Sequence, residues 1–302
     1  MPKTLFVYNL WWAFGSNLLN TKWAMIHAVK NGYEFFYKYN FNKIFPGGSI
    51  EFYFDSISTI AEKDLKEEDL VQYLLIKDTL PGEERYSYKP DHFNSIEDFH
   101  QDLMRKIYKP NLRVRSFIDN NILIRKLRSQ NKGYIGVHIR LGDKIAGPDK
   151  ETDYIDLNVY MNACLAIRRQ TNLNAIVICS DTAEALEVMH GYNEQLDEKF
   201  EMFWNEEKRC SNKWQDSLTH RVNCNLVEQD ELVSEYFTCF INFQLLLEAS
   251  ILVGNFDSGF ILAAVEYRNN GYDVNVNTKN LPLWKGAQIN RENISNTNLP
   301  NI

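Results

Sequence analysis

Cysteine is scarce in this chain. There are five in 302 residues, at 164, 179, 210, 224 and 239, with no Cys-x-x-C pair. The odd count and wide spacing argue against a disulfide scaffold or a zinc site and leave buried or free thiols in a reducing compartment. No apolar run reaches the roughly 18 residues needed to cross a bilayer, and the N-terminus lacks a small-residue cleavage site. The expectation is a cytoplasmic protein without membrane insertion. Positive charge is also in deficit, with 33 Lys and Arg against 40 Asp and Glu, a formal net charge of −7. Such a balance disfavours general binding to nucleic acid or anionic lipid, though a local basic pocket for a small phosphate ligand stays compatible with it. Gly-x-Ser-x-Gly, Walker and Cys-x5-Arg loops are all absent, which weakens hydrolase readings.

The chain is otherwise 44% hydrophobic, 24% charged and 13% aromatic, the composition of a folded globular protein. At this length one core is near its limit, so two domains of roughly 150 residues are expected. Residues 4–9 read as a strand. A Gly15-Ser16-Asn17 turn follows, then a helix over 17–30 stopped by Asn31-Gly32, then a strand over 33–39. This β-loop-α-β opening predicts a parallel sheet. Residues 40–92 are punctuated by glycine and proline and suggest two or three short elements. Helices are expected over 94–106 and 109–129. The polar break at Gln130-Asn131-Lys132-Gly133 is the best domain boundary.

Beyond it the alternation is regular: strands over 134–139, 175–179, 200–204 and 250–255, with helices over 154–170, 182–190, 228–249 and 258–269. The pattern predicts an α/β, doubly wound parallel sheet. The tail after Gly271 is rich in Asn. The expected organisation is a Rossmann-like domain over 1–130, a second over 131–285, and a tail over 286–302.

In open α/β sheets ligands sit beyond the carboxyl ends of the strands. Those positions hold Arg140, Gly142, Asp143 and Lys144 after the first strand of the second domain, Ser180, Asp181 and Thr182 after the next, and Phe256, Asp257, Ser258 and Gly259 after the last. Arginine presents a fork that matches phosphate oxygens, and a helix starting near Ser258 offers free N–H groups and a positive dipole end. Each also has a plainer reading. Arg140, Asp143 and Lys144 make a charged surface turn, Asp181 and Ser258 are good helix caps, and a strand histidine such as His138 is usually a satisfied core residue. What favours a nucleoside diphosphate is that all three groups fall on one edge of one sheet.

Three stretches also resemble a known family. Gly136-Val137-His138-Ile139-Arg140-Leu141-Gly142-Asp143-Lys144 is similar to the first motif of the α-1,6-, α-1,2- and protein O-fucosyltransferase superfamily. Ile176-Val177-Ile178-Cys179-Ser180-Asp181-Thr182 resembles the second motif of the α-1,6 branch. Residues 248–258, continuing to Ala264-Val265-Glu266-Tyr267, resemble the third. The Gly15-Ser16-Asn17 segment resembles the family's glycine-rich first loop.

The resemblance implies a GT-B-type fold of two facing Rossmann-like domains. It implies an inverting, metal-independent transfer of a sugar from a nucleotide-sugar donor, GDP-fucose, to a glycan hydroxyl. The absence of any Asp-x-Asp pair agrees that no metal clamps the diphosphate, so no cofactor is expected. On this reading Arg140 and Lys144 neutralise the leaving diphosphate. His138, Asp143, Asp181, Asp257, Ser258 and Gly15 contribute to donor binding. Counting back from Tyr160-Met161 puts Glu151 at the family's base position, with Asp149 and Asp153 near enough to compete.

The chain departs from the family in three places. The second motif has Asp181 but Thr182 in place of its second Asp. Leu141 stands where the α-1,6 and α-1,2 branches carry a second Arg, a charge that Arg168, Arg221 or an arginine of the first domain would have to replace. Asn242 stands where the family reads guanine with a carboxylate. An amide pairs one donor and one acceptor, which suits uracil better. A UDP-sugar donor such as UDP-xylose, and a non-catalytic nucleotide-sugar-binding module, are the alternatives.

Overall fold

The computed structural model describes residues 3–9, 14–39, 52–74, 86–142, 154–206, 209, 220–221 and 224–277. The chain divides into two compact units. The first is 1–117 with 229–237 and 266–269; the second is 118–228 with 238–265 and 270–302.

Unit 1 opens with β1 (Thr4–Asn9), α1 (Phe14–Asn31) and β2 (Glu34–Tyr39). A third strand, β3 (Leu70–Leu74), comes from the stretch where the sequence shows no clear period. All pairing is parallel, in the order β2-β1-β3, with Thr4 opposite both Glu34 and Leu70. α1 stops where the sequence predicts. Gly32 takes φ +66°, and Tyr33 N–H closes on Ala28 O at 2.9 Å, a Schellman-type end that glycine accepts without strain.

Its start is a correction. Gly15, Ser16 and Asn17 are not a loop but the first turn of α1. The turn is held by tertiary contacts that propensity does not reveal. Phe14 packs on Tyr236 at 5.3 Å between ring centroids, and Asn17 Nδ2 donates to the Tyr236 hydroxyl at 3.4 Å.

α2 (Ile96–Ile107) is capped by Ser95, whose hydroxyl accepts from Asp98 N–H at 3.0 Å. Glu97 and Asp98 in the first turn and Arg105 and Lys106 in the last both suit the helix dipole. The single helix expected over 109–129 is two, α3 (Leu112–Asn120) and α4 (Ile122–Gln130). Asn121 separates them. Its backbone is extended at ψ 128°, and its side chain accepts from Ile124 N–H at 3.1 Å. A short amide able to cap its own chain competes with helix continuation, and here it wins.

Unit 2 carries β4 (Ile135–Ile139), α5 (Leu157–Thr171), β5 (Ala175–Ser180), α6 (Ala183–Glu194) and β6 (Glu201–Trp204). α7 (Gln229–Glu248), β7 (Ile251–Gly254), α8 (Gly259–Arg268) and β8 (Val274–Asn275) complete the element order. α7 belongs to unit 2 from Thr238 onward, and α8 as far as Val265. The five strands are all parallel, in the order β6-β5-β4-β7-β8. The chain winds outward from β4 in one direction, then returns to β7 and winds the other way. The topological switch point therefore lies between β4 and β7.

Every residue of β4 is buried, as expected of a strand covered on both faces. Ile135, Val137 and Ile139 pack into one core with Leu157, Met161 and Cys164 of α5. The alternate residues face α7 and α8: Gly136 lies against Ala249 and Leu246, and His138 against Phe260. The two-residue β8 was not foreseen, because two residues carry no period. Asp273 fixes the segment by accepting from Leu252 N–H at 2.9 Å, and Asn275 does so by accepting from Phe256 N–H at 3.2 Å.

Candidate functional site at the carboxyl edge of the unit 2 sheet

β4 ends at Ile139, and the next three residues converge on one carboxylate. Asp181, directly after β5, accepts from Leu141 N–H at 3.1 Å through Oδ1 and pairs with Arg140 Nη1 at 3.1 Å through Oδ2. The two strands are parallel neighbours, with Ile139 opposite Ser180, so both loops leave the sheet at the same level. The Asp181 side chain is 18% exposed and that of Arg140 30%, so the pair sits at the sheet edge, open to small ligands.

Asp181 is not the N-cap of α6. Thr182 takes that position and makes no side-chain cap bond. The charge-assisted bonds across to Arg140 and Leu141 hold the carboxylate instead. Thr182 Oγ1 is buried without a hydrogen-bond partner among the described residues.

His138, two residues before Arg140, is buried, and its ring stacks on Phe260, with centroids 5.3 Å apart and planes 16° apart. It is not a satisfied core histidine: Nδ1 has no hydrogen-bond partner among the described residues. Burial, helped by the neighbouring Arg140 charge, pushes its pKa down to about 3. The imidazole is neutral at physiological pH and offers one donor and one acceptor. Phe260 is the second residue of α8, so the stack fixes the first turn of that helix beside the end of β4.

β7 reaches the same edge. His138 is the register partner of Gly254, and a Cβ at Gly254 would lie 3.1 Å from the His138 carbonyl and collide with the Ile261 side chain. The missing side chain lets β7, β4 and α8 approach closely there. The turn that follows is wound by Asn255, whose side chain accepts from Asp257 N–H at 3.1 Å and whose carbonyl accepts from Ser258 N–H at 3.0 Å. Asp257 accepts in turn from Asn277 Nδ2 at 2.5 Å. α8 starts at Gly259, and Ser258 O accepts the bond from Leu262 N–H at 3.0 Å.

Asn242 lies half-buried on α7, where its carbonyl accepts from Cys179 Sγ at 3.6 Å. Cys179 is the β5 partner of His138, so the Asn242 backbone is anchored to β5, one strand away from the β4/β7 switch point. Leu141, the departure from the double-arginine pattern, is 3% exposed and belongs to the core. Arg168 does not replace the lost charge. It lies in the last turn of α5, before β5 begins, and hence at the opposite edge of the sheet. Its guanidinium donates to Glu198 O at 2.7 Å and covers the Phe200 ring. Gly15 lies in unit 1, buried in the first turn of α1. Asp143, Lys144, Asp149, Glu151 and Asp153 lie outside the described residues.

Sequence reasoning missed Phe260 and Asn255 as organisers of the site. It also missed a buried polar cluster in unit 1. Lys22 Nζ contacts both oxygens of Glu266, at 2.6 and 2.5 Å, with His100 Nδ1 3.4 Å from the ammonium; all three side chains are fully buried. The signal was present: Leu18, Lys22 and Ile26 share one helical stripe, so the lysine falls on an otherwise apolar face. Burial would raise the Glu266 carboxyl, but the Lys22 charge and bonds from His100 and Lys22 bring it below its ordinary value. Burial lowers His100.

No protein-family model matches the chain, and no protein of curated function is significantly similar to it. Solved structures do match. A variant of Arabidopsis thaliana FUT1 in complex with GDP is similar over 89% of this chain and 69% of its own, with a TM-score of 0.53 and 10% identity. Fucosyltransferase NodZ from Bradyrhizobium matches over 87% and 93%, at TM-score 0.48 and 14% identity. POFUT1 in complex with GDP matches over 91% and 97%, at TM-score 0.45 and 11% identity. The likeness to FUT1 shows the fold: an α/β chain of the GT-B type, with two Rossmann-like units built on parallel sheets. Among the described residues no helix is long and apolar enough to cross a membrane, and no three His, Cys, Asp or Glu side chains group as a metal site.

Proposed function

We propose that this chain is an inverting, metal-independent glycosyltransferase that moves a sugar from a nucleotide-sugar donor to a glycan hydroxyl. The observation that carries the reading is the placement of Arg140 at the β4/β7 switch point, on a strand end that His138 locks to the first turn of α8. In doubly wound sheets that crevice is where ligands bind. The leaving diphosphate needs positive charge that strengthens as the sugar departs. Arg140 supplies it, with Lys144 four residues on and the N-terminus of α8 behind it. His138 is a neutral donor and acceptor for the donor's polar edge; Asp181, Asp143, Asp257 and Ser258 complete the donor side, and Gly15 belongs to the acceptor-side unit.

In the proposed reaction the bond from the sugar's anomeric carbon to the β-phosphate oxygen breaks, and its electron pair stays on the diphosphate. The acceptor oxygen bonds to the anomeric carbon from the opposite face. Its proton passes to Glu151. No Asp-x-Asp pair exists to hold a divalent ion, so cationic side chains do that work.

GDP-fucose is the donor by resemblance. Asn242, an amide at the position where the family carries a carboxylate, favours a uracil base instead, because an amide facing the two guanine donors leaves its own NH₂ unpaired. Thermal shift with GDP, UDP and their sugars, in EDTA, tests both points. A true donor at 100 times its Kd stabilises the chain by roughly 2.7 kcal/mol. Asn242→Asp is expected to weaken UDP and strengthen GDP. Stabilisation by none of these ligands would remove the reading. Tight GDP binding that ignores Asn242→Asp would return the donor to GDP-fucose.

A further inference from the structure

We propose that Asp181 is the positioning residue of this site: it holds the Arg140 guanidinium and the 140–142 turn in the form that receives a nucleoside diphosphate. The inference rests on the donor reading above. Three consecutive residues key onto the one carboxylate. Arg140 Nη1 pairs with Oδ2 at 3.1 Å. Leu141 N–H donates to Oδ1 at 3.1 Å. A Cβ on residue 142 would collide with Oδ2, so only glycine leaves the carboxylate its place.

Asp181 is also released from the duty its position suggests, because Thr182 stands at the N-cap of α6. Its carboxylate serves the neighbouring strand end, 40 residues away in the chain. A carboxylate repels a diphosphate, so direct contact with the ligand would weaken binding. Acting through Arg140 does the opposite. An arginine side chain carries large rotamer freedom, and ordering it only when the ligand arrives costs affinity. The ion pair from Arg140 Nη1 to Asp181 Oδ2 holds the guanidinium in place before the ligand binds.

The test is calorimetric titration of GDP, UDP, guanosine and uridine against the full chain. The variants are Asp181→Ala, Asp181→Asn, Gly142→Ala and Arg140→Ala, with the doubles Arg140→Ala/Asp181→Ala and Asp181→Ala/Gly142→Ala. The expected result is that Asp181→Ala and Gly142→Ala each weaken the preferred diphosphate about tenfold or more, while the matching nucleoside changes by less than about twofold. Asp181→Asn keeps an oxygen for Leu141 N–H and loses the charge on Arg140, so it falls in between. In the Arg140→Ala background the Asp181→Ala substitution costs less than it does in wild type, the remainder being the lost bond to Leu141 N–H, and the Asp181/Gly142 double loses less than the sum of the singles.

Unchanged or tighter diphosphate binding in Asp181→Ala overturns the inference alone. So does a parallel loss for the nucleoside, which marks a merely structural role. If Asp181→Ala does not fold, Gly142→Ala and Asp181→Asn decide by the same criteria. If wild type binds neither GDP nor UDP, the donor reading falls, and this inference with it.

Discussion

His138 and Phe260 lie nearly parallel, 5.3 Å apart, one on the end of β4 and the other in the first turn of α8. The contact needs a neutral imidazole: a charged one would be buried beside the Arg140 cation. The histidine's folded pKa is about 3, lowered by burial and then by Arg140, against about 6.5 in an unfolded chain. Between those values the unfolded state binds the extra proton. The stabilisation is therefore complete above about pH 6.5 and is lost as pH falls below it. Lowering the pH from 7 to 5 should cost about 2 kcal/mol through His138. Urea unfolding at both values tests this. His138→Gln should lose less stability than wild type over the same step, by about that amount. An identical acid dependence in the two proteins would show that the imidazole is not held neutral.

The Lys22–Glu266 pair sets a second expectation. Both side chains are fully buried. Removing one leaves an uncompensated charge in unit 1, at a cost of about 3–5 kcal/mol. Replacing both, as Lys22→Met with Glu266→Leu, removes the stranded charge and should cost less than either single change. Melting temperatures of the three variants decide. Additive losses would mean that the two groups do not neutralise each other.

Much of this was legible in the sequence because unit 2 is an alternation of buried strands and helices. A fully buried strand such as β4 is a continuous apolar run, and its polar punctuation falls where the chain leaves the sheet. That is why the sequence alone puts Arg140, Asp181 and Ser258 on one edge of the sheet. What stayed illegible depends on contacts between distant residues. Asp181 looks like a helix cap locally and is claimed instead by Arg140 and Leu141. α1 starts early because Phe14 and Asn17 meet Tyr236, more than 200 residues on. The break at Asn121 rests on one side-chain hydrogen bond, which no hydrophobic period reports. β8 has two residues and carries no period, and β3 lies in the stretch over 40–92 where glycine, proline and charge interrupt the pattern.

Glu151 is the proposed base, and the substitution Glu151→Gln tests it. An amide has the same size but cannot take the acceptor's proton. Donor affinity should persist while turnover falls by about 10²–10⁴-fold. Single-turnover transfer, beside donor titration, separates binding from chemistry. Asp149→Asn and Asp153→Asn should retain transfer. If one of them abolishes it while Glu151→Gln does not, the base is that residue.

Arg140 is the proposed receiver of the nucleotide sugar's diphosphate at the switch point of unit 2, and one comparison probes that role directly. Wild type and Arg140→Ala are titrated with the preferred nucleoside diphosphate and assayed for sugar transfer, with circular dichroism confirming that both are folded. Wild type is expected to bind and transfer. Arg140→Ala is expected to bind the diphosphate weakly, with turnover reduced by about 10²–10³-fold, because charge on the leaving group grows in the transition state. A folded Arg140→Ala protein with unchanged affinity and turnover would exclude Arg140 from the site.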